Sequence, residues 1–248
     1  MIAVELFTRY GFTSALRWLH VLFGITWIGL LYYFNFVQVP SFAQLSPAAR
    51  NEAIQKLASR ALWWFRWAAV GTAIFGLLIS GATEDYYQDF FKKSVGVSIF
   101  LGMIIALVML GNVWMFIWPN QKVVIANAAG VLEGREPLPE AAAAGRRAFL
   151  PSRQNTLFSI SMLWFMVGTA HFYNGADFGS DLSSGKVAAF LVISLLIVAV
   201  LELNALGVLG GTGPSPLRWP YESVRNVIIS GFVLWAVLWI LSELLLSK

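Results

Sequence analysis

The sequence has 248 residues, of which 58% are hydrophobic and only 12% are charged. Soluble domains carry about twice that share of charge, so the composition excludes an ordinary soluble protein. It contains no cysteine, which excludes disulfides, thiolate zinc sites, iron–sulfur clusters and covalently attached c-type haem, and its net charge of +4 indicates basic loops rather than nucleic-acid binding.

Six apolar segments approach the roughly 20 residues that a helix needs to cross a bilayer. They are residues 16–39, 67–83, 94–118, 155–175, 187–209 and 226–242. Helices satisfy their own backbone hydrogen bonds in lipid, so these segments predict an all-α polytopic transmembrane bundle of about six spans. We expect no removable signal peptide and a single integral membrane domain over residues 1–248.

The charges of the predicted loops alternate along the chain. Loops after the first, third and fifth spans are basic, whereas Glu84, Asp85 and Asp177 make the intervening loops acidic. Basic loops face the cytoplasm, which puts residues 120–154 in a cytoplasmic loop and both termini on the outer side. The predicted location is a bacterial inner membrane, with the lipid bilayer as the first partner.

The chain contains only two histidines, and both fall inside apolar spans, where an ionisable residue is a functional-site candidate. In the predicted topology His20 and His171 lie at similar depths, each about one turn below the outer end of its helix. Matching glycine and tryptophan residues lie below each of them. The candidate cofactor-binding residues are His20, Gly24, Trp27, Trp164, Gly168 and His171.

A histidine pair from two facing helices is a common way to hold the iron of a b-type haem in a bundle, and it needs no cysteine. The alternatives are structural hydrogen bonding with glycines that allow close helix packing, or a proton or metal role for each histidine. Glu202 in the fifth span is either a proton or cation site or the partner of Arg66 or Arg225.

Three segments together resemble a known family. Residues 17–29, residues 112–122 with Pro-Asn-Gln-Lys at their end, and residues 152–156 leading to His171 are similar to the N-terminal membrane region of PuuD-type urate hydroxylases, the urate oxidase N-terminal domain. The resemblance runs from about Leu16 to Tyr173 and implies urate as substrate. In that family a c-type cytochrome follows on the outer side. This sequence has no Cys-x-x-Cys-His, so electrons would leave through a separate cytochrome or a neighbouring membrane complex.

Polar residues at the cytoplasmic ends of the third and fourth helices form a weaker candidate site. They are Asn120, Gln121, Lys122, Arg153 and Asn155. Their amide and cationic donors suit a planar anion such as urate, or a phospholipid headgroup. The alternative is helix capping and headgroup contact.

Two functions remain open from the sequence. One is a membrane oxidoreductase that passes electrons through a b-type haem to a periplasmic cytochrome c. The other is a non-catalytic accessory subunit of a larger respiratory or photosynthetic membrane complex.

Overall fold

The structure is a computed structural model that describes residues 7–82, 89–175, 178–179 and 181–247. Glu84, Asp85 and Asp177, on which the orientation prediction partly rests, lie outside the described residues. The long helices are α1 (Arg9–Phe42), α2 (Pro47–Ala82), α3 (Ser94–Leu132), α4 (Ala141–His171), α5 (Ser184–Ala205) and α6 (Val224–Leu246). A one-turn helix, Trp219–Glu222, precedes α6. The predicted all-α bundle is confirmed.

Hydroxyl side chains mark where several helices begin. Ser46, Ser183 and Ser223 precede α2, α5 and α6, and each hydroxyl accepts a hydrogen bond from a backbone N–H in the first turn of its helix. These caps satisfy N–H groups that would otherwise lack partners at the helix start.

Five of these helices, α1, α2, α3, α5 and α6, are long and apolar enough to cross a membrane. Their outward surfaces are also apolar: Leu196 is 60% exposed, Val200 54% and Leu244 67%. Such side chains are favourable against lipid tails and unfavourable against water. The protein is therefore a multi-pass membrane protein.

The fourth predicted span differs from expectation. It falls within α4, which is not among the five apolar helices because buried polar residues such as Gln154, Asn155 and Thr156 lie along it. α4 contacts α1, α3, α5 and α6, so protein surrounds it and few of its side chains need to suit lipid. The predicted loop at 120–154 is also largely helical, because α3 extends to Leu132 and α4 begins at Ala141.

A buried amide cluster ties α3, α4 and α5 together. The side-chain NH₂ group of Asn112 donates to Asn155 Oδ1 at 2.9 Å and to Glu202 Oε2 at 3.1 Å, and Asn155 Nδ2 donates to the Met109 carbonyl at 2.9 Å. Glu202 thus accepts from an amide, and the described residues show no ion pair between it and Arg66 or Arg225, one of the two alternatives raised by the sequence. The guanidinium of Arg66 lies 3.7 Å from the centre of the Trp118 ring.

Among the described residues, three of these helices contain a π-helical segment, in which backbone hydrogen bonds span five residues. The segments are Tyr33–Gln38 in α1, Ile54–Ala58 in α2 and Asn112–Ile117 in α3. Each segment ends with such a bond, for example from Val39 N–H to the Phe34 carbonyl. π-Helical turns are rare and occur frequently at functional sites.

Candidate functional site

A cavity of about 480 Å³, here called the His20 cavity, lies between α1, α2, α3 and α4. Its wall is almost entirely apolar. The polar or soft-ligand side chains lining it come from His20, Trp27, Tyr32, Thr72, Met103, Met162 and Met166, and Gly24, Gly29 and Gly76 also border it. The volume lies within the range of small-molecule and cofactor pockets.

The imidazole of His20 is fixed by α2. Its Nδ1 lies 2.8 Å from the carbonyl oxygen of Thr72. A carbonyl can only accept, so Nδ1 donates and the lone pair of a neutral ring is on Nε2. This arrangement, with one ring nitrogen donating to a backbone carbonyl, is how metal-ligating histidines are commonly oriented.

Gly76 provides the space that this orientation needs. A Cβ atom at position 76 would lie 3.0 Å from His20 Cε1 and 3.2 Å from Nδ1. A side chain there would require the imidazole to shift by a few tenths of an ångström.

Trp27 provides a second polar group at the His20 cavity. It is 1% exposed, and its indole Nε1 has no hydrogen-bond partner among residues 7–82, 89–175, 178–179 and 181–247. Buried donors usually have a partner, so an unpaired one beside a cavity indicates that a bound group could accept from it. Gly24 lies one turn before Trp27 and borders the same cavity.

The predicted cofactor-binding residues of α4 do not lie beside those of α1. His171 is exposed, and His171, Gly168 and Trp164 do not line the His20 cavity. The ring of Tyr173 covers Gly168, lying 3.4 Å from where a Cβ would be, and Trp164 Nε1 donates to the Tyr173 hydroxyl at 3.2 Å. The structure therefore does not bring the two histidines together around one bound group as the sequence predicted.

A second cavity of about 290 Å³, here called the amide cavity, lies between the same four helices toward the α1–α2 turn. Its polar lining residues are Asn35, Gln38, Arg50, Gln121 and Ser152. Phenylalanine rings form much of the remaining wall. They belong to Phe34, Phe42, Phe65 and Phe149.

The predicted cluster at the ends of α3 and α4 is dispersed, and only Gln121 lines the amide cavity. Asn120 Oδ1 accepts from Arg147 Nε at 3.1 Å, Lys122 lies against Trp118, and Asn155 belongs to the buried amide cluster.

Arg153 is separate from these residues. It is 2% exposed, its guanidinium lies 5.0 Å from the centre of the Phe149 ring, and its Nε and Nη1 have no hydrogen-bond partner in the described part of the chain. Phe149 lines the amide cavity, whereas Arg153 does not.

Sequence reasoning missed Asn35, Gln38 and Arg50 as a group. Asn35 and Gln38 were visible as amides three residues apart within an apolar span, the spacing that places two side chains on one face of an α-helix. The contribution of Arg50 depends on how α2 turns back after Ser46, which residue spacing does not reveal.

Comparison with known families gives one finding. A family model described as urate oxidase N-terminal matches residues 68–205, more than half of the chain. The match runs from the middle of α2 to the end of α5, so it includes Thr72 and Gly76 but not the 17–29 segment that contains His20. No curated protein and no solved structure matches the chain.

Proposed function

The chain belongs to the urate oxidase N-terminal family, and we propose that it is a membrane redox protein that binds a b-type haem in the His20 cavity and passes electrons to a separate cytochrome. The observation that carries the proposal is the geometry of His20. The ring is held by the Thr72 carbonyl, and Nε2 is left available beside a large apolar cavity.

The residues around the cavity fit a haem. An imidazole with a free Nε2 supplies an axial ligand, and the thioethers of Met103, Met162 and Met166 supply a second type of ligand known to pair with histidine. A wall free of large polar surfaces suits a porphyrin face. Glycines at 24, 29 and 76 have no side chain that would project into the cavity. When bound, a haem supplies an iron that accepts and releases one electron at a time.

Urate is the substrate that the family description supports. A hydroxylation whose electrons leave through a cytochrome takes its oxygen from water: urate and water give hydroxylated urate, two protons and two electrons. The acceptor must therefore receive two electrons for each urate. This balance requires an electron carrier in or near the protein, which is the role proposed for the His20 cavity.

The proposed orientation places the basic end of the bundle in the cytoplasm of a bacterial inner membrane. Arg50, Arg147 and Arg225 lie on elements that meet at the end bearing the α1–α2, α3–α4 and α5–α6 connections. Basic residues are retained on the cytoplasmic side during insertion. The opposite end, nearer His20, would then face a periplasmic cytochrome.

The test is an optical spectrum of the detergent-purified protein, expressed with ample haem. We expect a b-type α band in the dithionite-reduced sample and partial reduction when urate is added without oxygen. Protein with no haem absorbance would contradict the redox proposal. Haem that dithionite reduces and urate does not would contradict urate as the electron donor.

A further inference from the structure

The three π-helical segments all border the amide cavity. Phe34, Asn35 and Gln38 come from the segment in α1, Ile54 and Ala58 from that in α2, and Ile117 from that in α3. π-Helical turns interrupt regular packing and persist where the surrounding structure uses them. Three of them bordering a single cavity make that cavity a candidate functional site.

The polar groups of the amide cavity include unsatisfied hydrogen-bonding capacity. The Oε1 atom of Gln38 is buried and has no hydrogen-bond partner in the part of the chain that the structure describes. A buried acceptor in this state costs free energy unless a bound group donates to it. Asn35 is already engaged, because its Nδ2 donates to the Leu31 carbonyl at 2.9 Å and to Ser152 Oγ at 3.0 Å.

Arg50 gives the cavity its charge. It lies at the exposed rim, and no ion pair or side-chain hydrogen bond of Arg50 occurs within the described residues. Arg and Gln together offer several donors and an acceptor, which suits an anion that also carries N–H groups.

The size and walls of the cavity favour a small flat ligand. Its volume of about 290 Å³ lies just below the roughly 300 Å³ at which ligand pockets usually start. Four phenylalanines line it, and Phe34 packs edge-to-face on Phe65 with ring centres 5.4 Å apart. Aromatic walls favour a planar ring system, while the volume is too small for a macrocycle.

The amide cavity also lies close to the His20 cavity. Tyr32 lines the His20 cavity and Phe34 lines the amide cavity, and residues two apart on a helix are separated by about 3 Å along its axis. The Tyr32 hydroxyl is fixed by Ser159 Oγ at 2.9 Å. The two cavities thus border successive stretches of α1.

We propose that the amide cavity binds a planar heterocyclic anion of nucleobase size, with Arg50 pairing with the negative charge and Gln38 Oε1 accepting a ring N–H. The choice of urate as the probe rests on the proposed function. The assignment of the site rests on the cavity and its residues.

The experiment is equilibrium dialysis of radiolabelled urate against the purified full chain in zwitterionic lipid nanodiscs. Arg50→Gln removes the charge and should weaken urate binding by about tenfold or more, the usual effect of losing a charge-assisted hydrogen bond. Gln38→Leu removes the acceptor and should weaken binding severalfold.

Matched controls come from the same helices. Arg60→Gln on α2 and Gln44→Leu just after α1 change exposed residues that do not line the cavity, so they should bind urate as the wild type does. All four variants should keep the haem absorbance and melting temperature of the wild type, which separates a binding defect from misfolding.

The outcomes distinguish this inference from the proposed function. Absence of urate binding to the wild type, or equal affinity in Arg50→Gln and Gln38→Leu, overturns the inference even if haem is present. Loss of co-purified anionic phospholipid in Arg50→Gln, with urate binding unchanged, would assign the site to a headgroup and also overturn it. Arg50-dependent urate binding by protein that lacks haem would support the site and overturn only the redox proposal.

Discussion

The position of His20 depends on two residues of a neighbouring helix. The Thr72 carbonyl accepts from Nδ1, and Gly76 leaves the space in which the ring lies. Because both partners belong to α2, the position of the ring beside the cavity depends on the packing of α1 on α2. A side chain at Gly76, which also borders the cavity, should therefore disturb the position of the imidazole.

Gly76→Val should reduce haem occupancy severalfold. A Cβ at this position would contact the imidazole at 3.0–3.2 Å, and a branched side chain would displace it from Thr72. The measurement is the haem-to-protein ratio from the reduced spectrum. Gly81→Val is the control, because nothing lies within 4 Å of a Cβ there; equal occupancy in the two variants would contradict this role of Gly76.

The sequence identified His20, Gly24 and Trp27 as neighbours on one helix face, and all three border the His20 cavity. It could not identify which helix faces them. Counting residues from a helix end gives the depth of a side chain, whereas its direction around the axis depends on packing. His171 has the expected position in the last turn of α4, yet it is exposed.

Among the elements, α4 depends most on polar contacts. Asn155 is fully buried and joins α4 to α3 through Asn112 and the Met109 carbonyl. These bonds explain why a helix with so many amide and hydroxyl groups can lie in the centre of the bundle. They also keep Asn112 aligned with Glu202 of α5.

Asn155→Leu should lower the stability of the bundle by about 1–2 kcal/mol, since it leaves Asn112 and the Met109 carbonyl each short of one buried partner. Thermal unfolding in detergent measures the effect. The matched variant Asn174→Leu changes an exposed asparagine and should have the same melting temperature as the wild type. A melting temperature for Asn155→Leu equal to that of Asn174→Leu would show that the amide cluster contributes nothing.

The π-helical segments were not predicted, although the sequence contains a cue for two of them. Pro40 and Pro119 lie just after the segments in α1 and α3, inside apolar runs. Proline cannot donate a hydrogen bond and clashes with the carbonyl four residues earlier, so the preceding turn must widen or break. The segment in α2 has no such cue.

For the molecule as a whole, the absence of cysteine from the sequence makes the proposed orientation directly testable. Gln44 lies at the α1–α2 turn and Ser184 at the start of α5, at opposite ends of the bundle. Both residues are exposed, so each can be replaced by cysteine in turn. A membrane-impermeant maleimide added to intact spheroplasts should label Ser184→Cys and not Gln44→Cys. The reverse pattern would place the basic end outside.

Composition and span length predicted the all-α membrane bundle because the need to avoid unpaired backbone groups in lipid leaves few choices. They did not predict that α1 to α4 enclose two successive cavities while α5 and α6 line neither. That arrangement depends on which helix faces pack together. The resemblance found at Asn112–Lys122 lies inside the family match, whereas the His20 segment precedes it.

The most direct test of the central claim is the haem content of the wild type, His20→Ala and His171→Ala, purified in parallel and measured from reduced-minus-oxidised spectra. The geometry of the His20 cavity predicts a b-type band in the wild type and in His171→Ala, and its loss in His20→Ala. A band that persists in His20→Ala, or that disappears equally in His171→Ala, would contradict the assignment of His20 as the one histidine ligand.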